Sequence, residues 1–331
     1  MRVKTLIATS DTAYTNHISG YISEHHSDAI EISVCNSVES LREMLRARRY
    51  DVALMDAQLI KEVDFDCVKL PMLLWSEQET TDISIVPNRI IKHRRISKTV
   101  STVLENYAMV SGKIDIASDK KSNITAVWSA SGGVGKTTVA LACAAAAVSQ
   151  EKEVFYLNLE SFSSTAAYFP ESSKSISAVF EMLETDAGNT KMFIQGICAQ
   201  RNGIKYLAPP ENYEDICILT AENIRELVSC CADISDELII DMSCNCDSRT
   251  KQVFELADKV LLTIDNTETA GHKLAQFISQ SNVYESFKDK ITFVANKGAV
   301  QTAAISENFI SLPYIESPDT QYVYKALALH I

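Results

Sequence analysis

Residues 130–138 read Ala-Ser-Gly-Gly-Val-Gly-Lys-Thr-Thr. The chain holds only 10 glycines in 331 residues, and three of them are Gly132, Gly133 and Gly135. A tight glycine cluster lets the backbone turn sharply and aim successive N–H groups at an anion. The lysine that follows, Lys136, reaches β- and γ-phosphates, and the hydroxyl of Thr137 is placed to hold Mg²⁺. The chemistry expected here is the gripping of a nucleotide's phosphates. The strict form of the pattern has glycine where Ala130 stands, so the match deviates at its first position.

The flanks supply the elements such a loop needs. Residues 124–128 (ITAVW) read as a buried strand, and 139–147 as a helix whose N-terminus faces the phosphates. Residues 153–160 form a second strand pattern with Asn158 and Glu160 at its carboxyl end, the edge where open α/β sheets place ligands. Residues 238–241 are apolar and end in Asp241, a carboxylate able to hold a water on Mg²⁺ or to bind the P-loop threonine. Two more strand patterns, 260–264 and 291–297, follow, the latter containing Asn296, and then a proline-containing segment at 310–314. Together they predict a P-loop NTPase domain over residues 123–331.

Residues 1–110 alternate between strand and helix patterns. Strands are predicted at 3–8, 30–34, 52–55, 72–75 and near 90–91, with helices at 13–25, 37–49 and 97–107 and Ser37 as an N-cap. Repeated alternation of this kind implies a parallel sheet with helices on both faces. The fold class expected is therefore α/β, with two doubly wound parallel-sheet domains. The polar segment 111–122 reads as the linker between them.

The punctuation of the first domain resembles a response-regulator receiver, a flavodoxin-like fold. Asp56 falls where that family keeps its phospho-acceptor, Ser76 where it keeps a hydroxyl, and Lys92 where it keeps a lysine. The two adjacent acids that would hold Mg²⁺ are replaced by Thr9 and Ser10, and Asp11 comes one position late. Since Mg²⁺ wants carboxylate oxygens, the resemblance implies an atypical receiver that does not phosphorylate efficiently.

Bulk properties exclude several classes. Net charge is −12 and nearly all of it falls after residue 123. An acidic nucleotide-binding half argues against direct nucleic-acid binding, which needs a basic face. The basic spots at Arg46, Arg48, Arg49, Lys92, Arg94 and Arg95 read as solvated surface. No apolar run reaches the length of a transmembrane helix, and the N-terminal apolar stretch is too short for a signal peptide, so a cytoplasmic protein is expected. The nine cysteines lack the paired spacing of a zinc site and read mainly as small buried hydrophobes. The tail from 320 to 331, with one lysine, is expected to pack against its domain rather than lie on a membrane.

Nearly the whole chain resembles the MinD/ParA group of deviant-Walker ATPases, and within it the TadZ/CpaE family of pilus-assembly ATPases. The likeness rests on the domain pairing and on residues 129–138, 158–160, 204–211, 220–226, 238–241 and 312–314. It implies ATP and Mg²⁺ as cofactors. By position, the amides of Gly132, Gly133, Val134, Gly135, Lys136, Thr137 and Thr138 would cradle the phosphates, Thr137 and Asp241 would serve the metal, and Asn296 would meet the base. Lys136, Glu160 and Asp241 would form the catalytic set, with Glu160 orienting the attacking water. Asn158 replaces a second acid and cannot act as a base. Serine stands at 131, where the group has a signature lysine that contacts its partner's nucleotide. Slow or partner-dependent hydrolysis is therefore implied. The resemblance further implies a homodimer working with pilus and secretion assembly proteins at a membrane-proximal or polar focus. A cycling ATPase that positions cargo, and a response regulator with an ATPase output, are the alternatives.

Overall fold

The computed structural model describes residues 2–60, 66–76, 88–92, 94–112, 122–169, 174–185, 188–299 and 309–331. The chain divides into two compact units, residues 1–116 with 187–196, and residues 117–186 with 197–331. Of the linker expected at 111–122, residues 113–121 lie outside the described residues.

In the first unit β1 (Val3–Ala8), β2 (Ile30–Cys35), β3 (Tyr50–Asp56), β4 (Val68–Trp75) and β5 (Arg89–Ile91) form a parallel sheet. Their order, β2-β1-β3-β4-β5, is the flavodoxin-like doubly wound order, which reverses between β1 and β3. Ligands in such sheets sit beyond the carboxyl ends at that reversal, and here those ends lead to Thr9 and Asp56. Helices α1 (Thr12–His25), α2 (Val38–Ala47), α3 (Ala57–Ile60) and α4 (Ile96–Ser111) accompany the sheet. Asp11 caps α1 by accepting the Tyr14 N–H, and Ser37 caps α2 by accepting the Ser40 N–H. Both faces of the strands are covered, so β1 and β3 read as near-continuous apolar runs rather than alternating ones. One core cluster joins Leu6, Ala53 and Met55 of the sheet to Leu41 and Leu45 of α2. The short helix Thr190–Ile197 begins within this unit, where Asn189 donates its N–H to the Ala108 carbonyl at 3.0 Å.

The second unit holds an eight-stranded sheet: β6 (Asn123–Trp128), β7 (Val154–Asn158), β8 (Ala199–Arg201), β9 (Ile204–Tyr206), β10 (Glu237–Asp241), β11 (Lys259–Ile264), β12 (Ile291–Ala295) and β13 (Phe309–Ser311). The order is β13-β12-β11-β6-β10-β7-β9-β8. The expectation of a wholly parallel sheet needs correction at one edge, because β8 pairs antiparallel with β9. The cause is local. Asn202 and Gly203, at φ 50° and 80°, make a two-residue turn of the kind that Asn-Gly favours, and Arg201 pairs directly with Ile204.

Helix α5 (Lys136–Ser149) begins at the P-loop and is rich in alanine. Small side chains at 140, 142, 143, 144 and 147 are buried, which lets the helix lie close to the sheet. Val139 and Leu141 share a core with Val127, Tyr156, Ile239, Leu261 and Val294. The C-terminal helix Thr320–Leu327 closes the same core with Tyr324 and Leu327, so the tail packs on its own unit as its composition predicts. Among the described residues no helix is long and apolar enough to cross a membrane.

Candidate functional site

Parallel strands present their carboxyl ends on one edge. The ends of β6, β7, β10 and β12 therefore bring together the P-loop, Asn158 with Glu160, Asp241, and Asn296 with Lys297. Register places Asp241 beside both Asn158 and Val127. Four segments far apart in sequence thus meet at the N-terminus of α5.

The loop itself is built as its composition predicts. Gly133 and Gly135 take φ of 77° and 92°, in the left-handed region where side chains are strained. A Cβ on Gly135 would press on Asn296 Nδ2, and the φ of 92° would strain any side chain there. α5 has no side-chain cap, which leaves the N–H groups of its first turn directed at the loop. Lys136 is buried, and its ammonium lies 3.8 Å from Glu160 Oε1. Ser131 is buried as well, its N–H held by Ser129 Oγ at 3.1 Å.

Behind the lysine lies a buried polar cluster. Tyr156 donates its hydroxyl to Asp241 Oδ2 at 2.7 Å, and Asn158 Nδ2 donates to the same oxygen at 3.0 Å. Asn158 Oδ1 in turn accepts the Glu160 N–H at 3.0 Å. Asn158, read as a lost acid, is therefore the tie between the Glu160 backbone and Asp241. Asp241 is fully buried, and its Oδ1 has no hydrogen-bond partner. Burial pushes the Asp241 carboxyl above its ordinary value, with Thr137, Tyr156, Lys136 and Asn158 pulling the other way. Burial, then the Asp241 charge, raises the Glu160 carboxyl to about 7 against the weaker pull of Lys136.

This donor set fits a magnesium-bound triphosphate. A buried carboxylate oxygen left without a partner is costly unless a cation or its water satisfies it, and Thr137 stands in the first turn beside it. Thr137 and Asp241 would hold the ion or its water shell, and the amides from 132 to 138 would hold the phosphates.

Sequence reasoning missed two residues. Tyr156 sits two before Asn158 and so on the same strand face, a period-two signal that a polar tip belongs to the cluster. Lys297 donates its ammonium to the Gly133 carbonyl at 2.6 Å. Only its adjacency to Asn296 hinted at a role. Asn296, expected at the base, donates Nδ2 to the Val134 carbonyl at 2.9 Å.

The first unit gathers its own cluster. Asp56 Oδ2 accepts from the Thr9 hydroxyl at 2.5 Å, and Lys92 Nζ lies 3.1 and 3.3 Å from the two Asp56 oxygens and 3.0 Å from Thr9 Oγ1. Asp11 lies 3.7 Å from the same ammonium while one of its oxygens caps α1. Asp56, Lys92 and Thr9 therefore come together. Ser76, just past the end of the neighbouring β4, forms no hydrogen bond with Asp56.

Fold and loop together define a P-loop architecture whose α/β fold is ParA/MinD-like. Among solved structures, the chain is similar to a ParA family ATPase from Chlorobium tepidum, with a TM-score of 0.52 and 15% identity over 63% of this chain and 100% of that one. A plasmid partition protein from Borrelia burgdorferi superposes with a TM-score of 0.49 at 16% identity, over 63% of this chain and 97% of that one. The septum site-determining protein MinD from Pyrococcus horikoshii, solved with Mg-ADP, gives 0.47 at 13%, over 62% and 94%. At these identities the likeness is one of fold. No protein-family profile matches the chain, and no curated protein matches it.

Proposed function

We propose that the protein is an ATP-binding, nucleotide-controlled dimeric scaffold that localises or assembles a Tad/Flp-type pilus secretion machine, with slow or partner-dependent hydrolysis. The observation that carries the nucleotide half is the convergence of the glycine loop, Lys136, Thr137 and the unpartnered Asp241 oxygen at one sheet edge. Magnesium, when bound, would neutralise charge on the phosphates. By position, Lys136 would pair with β/γ oxygens, Thr138 would meet the α-phosphate, Asn296 would border the base, and Glu160 would orient water.

One feature supports a switch over a motor. Ser131 is buried and uncharged where a phosphate-directed cation would speed phosphoryl transfer. The pilus assignment rests on the sequence resemblance. In the first unit, the Asp56 carboxylate is already occupied by Thr9 and Lys92, which supports an atypical receiver over a phosphorylated regulator.

The likeness in fold to a ParA family ATPase favours a second reading, a cycling ATPase that positions cargo. Sedimentation of the full chain with and without ATP·Mg²⁺ separates them when paired with turnover assays. The scaffold reading expects tight ATP binding, nucleotide-dependent association and little turnover, all lost in Lys136→Ala. Turnover stimulated strongly by DNA or lipid would select the cycling ATPase instead.

A further inference from the structure

Two consecutive side chains just past the end of β12 reach back to the P-loop. Asn296 Nδ2 holds the Val134 carbonyl at 2.9 Å and Lys297 Nζ holds the Gly133 carbonyl at 2.6 Å. A carbonyl oxygen only accepts, so it is the nitrogen of the Asn296 amide that faces Val134. In a planar trans peptide the C=O and the following N–H point in opposite directions. Pinning the Gly133 carbonyl on one side thus aims the Val134 N–H at the other, and pinning the Val134 carbonyl does the same for the Gly135 N–H. Neither N–H is spent on a protein acceptor among the described residues.

The arrangement is held under constraint. Lys297 has φ of 57°, in the left-handed region that a lysine seldom adopts. Residues kept in such conformations mark places where the surroundings over-determine the backbone. The exposed ammonium also has Asp265 Oδ2 3.7 Å away. Asp265 Oδ1 accepts from both the Thr267 N–H and its hydroxyl. Asn296 itself is buried.

We propose that Asn296 and Lys297 are positioning residues that brace the phosphate cradle from its outer side, so that the Val134 and Gly135 amides stand preformed for an anion. Lys297 also sets a fixed positive charge against a loop that carries serine at 131. The inference rests on reading residues 132–138 as an anion cradle, and it extends Asn296 beyond the base contact expected for it. Preorganised donors gain affinity because no ordering remains to be done on binding.

The discriminating probe is inorganic tripolyphosphate with Mg²⁺, which has phosphates and no base. Calorimetry on the full chain compares it with ATP·Mg²⁺ across Lys297→Met, Lys297→Gly and Lys297→Arg. Met and Gly are expected to weaken both ligands alike, by about tenfold, the scale of one lost charge-assisted hydrogen bond. Arg retains most of the affinity. Gly also relieves the left-handed backbone, so its melting temperature should equal or exceed the parent's while its affinity falls, which separates bracing from folding. Parental tripolyphosphate affinity in the Gly variant overturns the brace, as does a loss confined to ATP, which would make Lys297 a base contact. A parent that binds ATP but not tripolyphosphate overturns it too. A parent that binds neither refutes the cradle itself.

Discussion

At the residue scale two of the described polar clusters make opposite use of a carboxylate. Asp241 keeps one oxygen tied by Tyr156 and Asn158 and the other without a hydrogen-bond partner. Asp56 has both oxygens engaged, one by the Thr9 hydroxyl and both by the Lys92 ammonium. In-line transfer of a phosphoryl group to Asp56 would require breaking those contacts without a carboxylate pair to bring in Mg²⁺. Incubation of the full chain with acetyl phosphate and Mg²⁺ should therefore leave Asp56 unmodified by intact-mass measurement. A stable adduct that disappears in Asp56→Asn would overturn this.

At the element scale, what organises the first unit is a buried carboxylate between strands and helix. Asp51 on β3 accepts the Lys4 N–H of β1 at 2.9 Å and the Tyr107 hydroxyl of α4 at 2.9 Å, and pairs with Lys69 of β4 at 3.1 Å. Burial alone would raise its carboxyl, but these three donors outweigh burial and hold it below the ordinary 3.8. A depressed folded value means the stability Asp51 contributes is present above pH 3.8 and is lost as pH falls through the lower folded value. Asp51→Asn should cost about 1–3 kcal/mol in urea unfolding at pH 7. Its acid limb should also be shallower than the parent's below pH 4. An unchanged midpoint would show that the three elements hold together without this anchor.

At the scale of the whole molecule, charge decides which surfaces it can meet. A net charge of −12 repels the phosphate backbone, and non-specific binding to DNA needs neutralising cations. Full-length protein with ATP·Mg²⁺ should leave duplex DNA unshifted in a gel at physiological salt. Retention that falls steeply with added salt would show a basic face and favour the cargo-positioning ATPase.

Much of this was legible in the chain itself. The glycine cluster, the apolar runs ending in Asp56, Asp241 and Asn296, and the helical periods between them set the α/β class, because loop chemistry and burial period are local properties. The antiparallel edge was also written locally, in Asn202-Gly203, though the strands it joins are too short to stand out by period alone. Only tertiary structure decided the polar wiring. That Thr9 and Lys92 meet Asp56, that Tyr156 and Asn158 secure one oxygen of Asp241, and that Lys297 grips the Gly133 carbonyl all depend on parallel strands delivering distant residues to a common edge. Hydrogen bonds act over about 3 Å, whereas the partners lie tens to more than a hundred residues apart along the chain, so no local pattern could specify them.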